Sequence, residues 1–165
     1  MISIARIALP VDGFDRLHAE ARTEGFNFMD TLADDWISGA NRFDGPGELL
    51  FGQFDDGELI AVGGLNRDPF AGRDEVGRIR RVYVRAAWRN RGAGRALVTA
   101  LIEQARAHFS CVRLRAESAD AARLYERLGF APIDDSSATH VLALDKISDE
   151  RNRPGGAQIW QTKDH

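Results

Sequence analysis

Apolar positions recur along the chain with two periods, and their alternation predicts a mixed fold of strands and helices. Ile2 to Ala8 alternates weakly and reads as a first strand, followed by a turn at Pro10-Val11-Asp12-Gly13. Phe14, Leu17, His18 and Ala21 fall at helical spacing, which predicts a helix to about Glu24 with Gly25 ending it. A second helical piece carries Leu32 and Trp36 one turn apart. Leu49 to Phe54 and Leu59 to Leu65 predict strands joined at Asp55-Asp56-Gly57-Glu58, a hairpin signal. Gly63-Gly64 weakens the second strand and marks a close approach. In the next strand, Glu75 to Val84, Ile79 and the Val82–Val84 pair have opposite parity. One inserted residue, a β-bulge, would bring them to one face and splay the neighbouring strands.

Leu97, Val98, Leu101, Ile102, Ala105 and Phe109 form the apolar face of a helix expected to last to about Phe109. Val112 to Ala116 is the next strand. Ser118 can cap a helix whose Ala121, Leu124, Tyr125 and Leu128 face inward, and Gly129 suits its end. Ala131-Pro132-Ile133 and His140 to Leu144 predict a final hairpin around Asp134-Asp135-Ser136-Ser137. Residues 147–165 are polar, contain Pro154-Gly155-Gly156, and have Ile159-Trp160 as their apolar anchor. They read as a tail, flexible or docked on a partner, after a domain spanning residues 1–146.

Composition narrows the class. The 165 residues suit one core, and 44% hydrophobic with 28% charged residues is ordinary for a globular domain. No apolar run reaches membrane-spanning length and no signal-peptide pattern is seen, so a soluble, cytoplasmic protein is expected. The single cysteine, Cys111, has no internal disulfide partner and reads as a small buried hydrophobe. His18, His108, His140 and His165 lack ligand spacing, so no metal is expected.

The net charge is −3, yet arginine occupies positions 78, 80, 81, 85, 89, 91 and 95. A basic patch on an acidic chain predicts a local polyanion rather than nucleic acid. Arg78 and one of Arg80 or Arg81 are expected to pair with nearby acids instead. The segment Arg89-Asn90-Arg91-Gly92-Ala93-Gly94-Arg95 joins a strand to a helix N-terminus. Glycines let backbone N–H groups approach a ligand, and the helix end favours negative charge. No Lys-Ser or Lys-Thr pair follows, which excludes a Walker loop, and Leu97 stands where a dinucleotide loop needs its third glycine.

What stands is Arg89-x-x-Gly92-x-Gly94 after a strand ending in Val84, and then Leu124-Tyr125-Glu126-Arg127-Leu128-Gly129-Phe130. In that order the two stretches resemble the signatures of the GNAT family of N-acetyltransferases. The resemblance covers Glu75 to Phe130 closely and Glu48 to Leu144 loosely. It implies an α/β (α+β) fold: one GNAT-like domain with a mixed, mostly antiparallel sheet of six or seven strands and about four helices. It implies acetyl-CoA as co-substrate, with Arg89, Asn90, Arg91, Gly92, Ala93, Gly94 and Arg95 at its phosphates. The backbone of Val82, Tyr83 and Val84 would take its pantetheine arm. Tyr125 would be the acid that protonates the departing thiolate. A phenol and a thiol differ by about 1.5 pKa units, so this step is uphill by only about 2 kcal/mol. The aromatic stretch Phe26 to Met29 and the Trp36 region would line the acceptor side, although core packing explains them as well.

Two positions depart from the pattern. Ser118 stands where many members carry an asparagine that holds the pantetheine, and it is expected to bind with shorter reach. A carboxylate base in the central strand is replaced by Arg78, which leaves Glu75 as the candidate catalytic base, with Asp68, Glu117 and His140 as alternatives. The expected function is transfer of an acetyl group to a primary amine by direct attack in a ternary complex. The alternative is a non-catalytic acyl-CoA sensor or interaction module of the same fold. The acceptor, a small molecule or a peptide amine, is not legible, although Asp34, Asp35 and Asp68 could greet a cation. No nucleic-acid or membrane partner is expected, and a homodimer is possible.

Overall fold

The structure, a computed structural model, describes residues 1–144. The expected tail at 147–165 lies outside these residues. Among the described residues the order is β1 (Ile2–Arg6), α1 (Phe14–Thr23), α2 (Phe28–Ser38), β2 (Leu49–Asp55), β3 (Glu58–Arg67) and β4 (Val76–Val84). A single 3-10 turn at Ala86–Trp88 follows, then α3 (Ala93–Ala105), β5 (Cys111–Leu114), α4 (Ala119–Arg127), β6 (Ala131–Asp135) and β7 (Ala138–Ala143). The seven strands form one sheet in the order β1-β2-β3-β4-β5-β7-β6. Every neighbouring pair is antiparallel except β4 and β5. This is the expected α/β class with a mixed, mostly antiparallel sheet.

Two apolar cores flank the sheet. On one face α3 and Tyr125 of α4 pack against Ile60, Leu65, Ile79 and Val112. On the other, Leu17 and Ala21 of α1 and Met29 and Leu32 of α2 pack against Leu50, Val62 and Tyr83. The glycines of β3 answer to this packing. A Cβ on Gly64 would lie 2.2 Å from the Phe43 ring, and one on Gly63 would press on Leu101 and Leu97 at 3.1 and 3.2 Å.

The helix expected to reach Phe109 ends at Ala105. The chain then turns, with Phe109 N–H donating to the Ala105 carbonyl at 2.9 Å, and the Phe109 ring tucks against Gly77. Phe109 is buried, as its spacing suggested, but by the turn and not by the helix.

The bulge predicted by parity is in β4. Ala61 and Val62 pair with Val84 and Tyr83, whereas Gly64 and Leu65 pair with Arg80 and Ile79. The extra residue lies between these registers, and Arg81 there has φ of 62°, in the left-handed region. Ile79, Val82 and Val84 thereby share the α3 face, while Tyr83 faces α1 and α2. The consequence for the sheet is a fork. β5 pairs with β4 only at Val76, Gly77 and Arg78, and from Ile79 onward β4 runs on without it.

Candidate active site

The fork between β4 and β5 exposes backbone. Arg85 N–H donates to the Ile60 carbonyl of β3 at 2.9 Å. In an antiparallel ladder alternate residues point the same way, so Tyr83 also faces β3, and Val82 and Val84 face the fork. The Val84 carbonyl confirms this direction: it accepts from Arg89 Nε at 2.8 Å, away from β3. Tyr83 therefore belongs to the ladder and to the α1/α2 core. Its hydroxyl donates to Glu24 at 2.5 Å and to Glu20 at 3.3 Å, and burial first, then Glu24, pushes its pKa up.

At the open end stands the N-terminus of α3. Gly92 has φ of 87° and its carbonyl accepts the first helical bond from Ala96 N–H at 3.0 Å. The N–H groups of Ala93, Gly94 and Arg95 therefore have no acceptor within the helix. Asn90, at φ of 61°, also turns left-handed, and a Cβ on Gly92 would meet nothing within 4 Å. The loop is thus open above its backbone donors, and Arg91 and Arg95 are exposed beside it. Arg89 differs from expectation. Its guanidinium is clamped on Glu24 at 2.5 and 2.9 Å and lies over the Tyr83 ring. The first motif arginine ties the loop to α1; its side chain is not turned toward the helix N-terminus.

Tyr125 closes the fork from the α4 side. Its ring meets Phe130 edge-on at 5.6 Å and is 7% exposed. It lines a cavity of about 190 Å³ together with Ile79, Val82, Ala121, Phe28 and Phe70. Burial, with Glu117 adding to it, pushes the phenol pKa up, and among the described residues its hydroxyl makes no hydrogen bond. Ser118 caps α4, its hydroxyl accepting from Ala121 N–H at 3.1 Å. That leaves the hydroxyl hydrogen to donate.

The carboxylates fall differently from the sequence reading. Glu75 precedes β4 at the closed end of the fork, where its carbonyl accepts from Ser110 N–H and its carboxylate holds Arg73 at 2.6 Å. It does not line the Tyr125 cavity. Asp68 is fully buried, between Arg78 at 3.3 Å and Arg113 at 3.2 Å, and also accepts from the N–H groups of Phe70 and Ala71. His140 is held by Glu126 at 2.9 Å and by Thr139. Among the described residues, Glu117 is the carboxylate that lines the cavity with Tyr125.

The cavity is also strongly cationic, since Arg78, Arg80, Arg81 and Arg115 border it. Arg78 is paired with Asp68, Arg81 lies 3.9 Å from Asp35, and Arg115 donates to the Ser136 carbonyl. Arg80 is different: its Nε, like that of Arg81, is buried without a hydrogen-bond partner, but its guanidinium also forms no ion pair among the described residues. The expectation that Arg78 and one of Arg80 or Arg81 would pair with acids is met by Arg78 and Arg81, which leaves Arg80 as the one without. The signal was its parity: two residues from Arg78, it points into the α1/α2 side and not to solvent.

Cys111 sits in β5, paired with Val76 and Ala143, and lines neither this cavity nor the larger one of about 730 Å³ between the 39–48 loop and β4. Burial raises its thiol pKa. Among the described residues no cluster of His, Cys, Asp and Glu is arranged to hold a metal, and no helix is long and apolar enough to cross a membrane.

Comparison with known proteins agrees with this geometry. Residues 13–130 match the model of the acetyltransferase (GNAT) family. A crystal structure of a candidate acetyltransferase from Exiguobacterium sp. 255-15 superposes with a TM-score of 0.78 at 28% identity, covering 93% of this chain and 99% of that one. The ribosomal-protein-S18-alanine N-acetyltransferase of Escherichia coli gives 0.62 at 22% identity, covering 87% and 93%. A candidate acyl-CoA N-acyltransferase from Klebsiella pneumoniae gives 0.64 at 21%, covering 88% and 99%. The last two share the fold.

Proposed function

The chain belongs to the acetyltransferase (GNAT) family, and from that premise we propose that it transfers an acetyl group from acetyl-CoA to a primary amine by direct attack in a ternary complex. The observation that carries this reading is the fork itself. It leaves the backbone of Val82 and Val84 open along one side, the α3 N-terminus at one end and Tyr125 across the gap.

The residues present fit a coenzyme A chain. The N–H groups at 93–95, with Arg91, Arg95 and the space above Gly92, suit its pyrophosphate. Val82 and Val84 can pair with the pantetheine amides as a missing strand would. The bound thioester supplies the activated acyl group. Val82 N–H, which borders the Tyr125 cavity, can donate to the oxyanion as the amine attacks. Glu117, reached by water, can take the proton from the ammonium, pass it through that water to solvent, and then take the second proton from the attacking nitrogen. Tyr125 gives its proton to the departing sulfur. Burial makes the phenol a weaker acid, but the same dry cavity makes a thiolate a stronger base, so the transfer stays nearly matched.

Direct attack is supported by what lines the cavity. Cys111 lies elsewhere in the sheet, and among the described residues neither serine nor cysteine borders the Tyr125 cavity. Initial rates with both substrates varied should give intersecting lines, and protein incubated with acetyl-CoA alone should keep its mass. Parallel lines with an acetylated protein would replace direct attack by a covalent intermediate.

A further inference from the structure

Arg80 occupies an unusual place. It lines both the small cavity at Tyr125 and the larger cavity bounded by the 39–48 loop, and it is shared between the two. The first is where an acyl group would meet Tyr125. The second opens toward α2 and the loop, away from the α3 N-terminus, and offers an approach for the other substrate. Arg80 therefore stands where the two substrates would meet.

Its charge is uncompensated by contact. The two neighbouring arginines have partners: Arg78 has Asp68 at 3.3 Å and Arg81 has Asp35 at 3.9 Å. The Arg80 guanidinium has none among the described residues, and its Nε is enclosed without an acceptor. Burial, with Arg81 and Arg78 adding like charge, pushes its pKa down to about 10, so it is still protonated at neutral pH. A half-buried cation kept beside two others weakens a fold unless something negative meets it. The missing acceptor is a planar or tetrahedral oxyanion that a guanidinium fork can hold. Glu117, which lines the Tyr125 cavity with Arg80, leaves a carboxylate for an ammonium on the same ligand.

Resting on the acetyltransferase reading, we infer that the acceptor is an amine that also carries an oxyanion group, a carboxylate or a phosphate, which Arg80 binds at the junction of the two cavities. A free amino acid, with an ammonium and a carboxylate on one carbon, has this chemistry in its smallest form. Asp68, one of three acids that could greet a cationic amine, is turned inward onto Arg78 and Arg113.

The test begins with calorimetric titration of acetyl-CoA into the unaltered protein and into Arg80→Gln. Thiol release is then followed with matched acceptor pairs: amino acids against their decarboxylated amines, and phosphoethanolamine against ethanolamine. The expected result is a kcat/KM at least tenfold higher for the anionic member of a pair. Which pair responds separates carboxylate from phosphate. Arg80→Gln should bind acetyl-CoA as before and lose that preference, mainly through KM, and Arg80→Lys should restore part of it. Because a half-buried charge without an ion pair is removed, Arg80→Gln should melt no lower than the unaltered protein, which a purely structural arginine would not allow. Equal or better use of the neutral members, no turnover of any anionic member by protein that binds acetyl-CoA, or a preference that survives Arg80→Gln overturns the inference. A preference of Arg80 for a carboxylate-bearing acyl donor, seen with succinyl-CoA in place of acetyl-CoA, overturns it as well. Failure to bind acetyl-CoA at all sinks the transferase reading and this inference with it, and is recognised before any acceptor is added.

Discussion

Tyr125→Phe separates chemistry from packing because the two make opposite predictions. The ring is buried, contacts Phe130 edge-on at 5.6 Å, and keeps these contacts as phenylalanine. Among the described residues the hydroxyl has no hydrogen bond to lose. A buried hydroxyl without a partner costs about 1–3 kcal/mol, and water in the 190 Å³ cavity recovers part of that. Its removal should leave stability unchanged or raise it by up to about 1 kcal/mol, a Tm gain of roughly 2–4 °C for a domain this size. Turnover should move the other way. A positioned general acid contributes roughly 10²–10⁴-fold, so kcat should fall by at least about a hundredfold, near 2.7 kcal/mol of barrier. Acetyl-CoA affinity should not change, because the hydroxyl acts on the leaving sulfur. Thermal unfolding and steady-state thiol release on the same preparation read both quantities. A lower Tm with turnover intact would refute the reasoning, since it would make Tyr125 a core residue with a bonded hydroxyl.

Three further outcomes follow from the same geometry. Asp68→Asn removes the carboxylate that separates Arg78 from Arg113, and should cost about 3–5 kcal/mol in urea unfolding; a loss below about 1 kcal/mol would show that the two arginines find other partners. Gly92→Val forces a β-branched residue to φ of 87°, which costs about 1–2 kcal/mol, and places its side chain in the open space over the helix N-terminus. Its CoA affinity should fall more than about tenfold, and retained affinity would put the phosphates elsewhere. The Arg89 hydrogen bond holds the Glu24 carboxyl below its ordinary pKa of 4.5. For Glu20 burial opposes ionisation, but the Ala86 N–H, Arg85 and Tyr83 outweigh it. A depressed carboxylate binds fewer protons folded than unfolded, so its stabilisation is complete above about 4.5 and is lost as pH falls below it. The stability difference between the unaltered protein and Glu24→Gln should therefore shrink on acidification, and a difference independent of pH would contradict the assignment.

Much of the scaffold was legible because it rests on local rules. The parity conflict between Ile79 and Val82 located the bulge that Arg81 now supplies, and the two glycine-bearing signatures located α3 and α4. The hairpin signals at Asp56-Gly57 and Ser136-Ser137 gave the right strand pairs. What was not legible depends on contacts between distant segments. Glu24 lies 65 positions from Arg89, and nothing near either residue announces that they clamp together. Asp68 and Arg113 meet only because β4 and β5 run parallel at their closed end. Glu75 seemed a plausible base because it stands in the right strand. Where the fork opens decides the matter, and it opens after Arg78, leaving Glu117 at the cavity. Arg80 shows the same limit. The sequence shows the arginines, but only the assembled sheet shows that Arg80, enclosed beside Arg78 and Arg81, has no ion pair among the described residues.

The central claim is that the fork and the α3 N-terminus form a coenzyme A site, and thermal unfolding tests it most directly. The protein is heated with acetyl-CoA, CoA, ATP or NAD in separate samples. At about a hundred times its Kd a ligand stabilises by about 2.7 kcal/mol, or roughly 5–10 °C here. The account predicts that shift with acetyl-CoA and CoA and none with the other two. No shift with either, or a shift with ATP or NAD in their place, would contradict it.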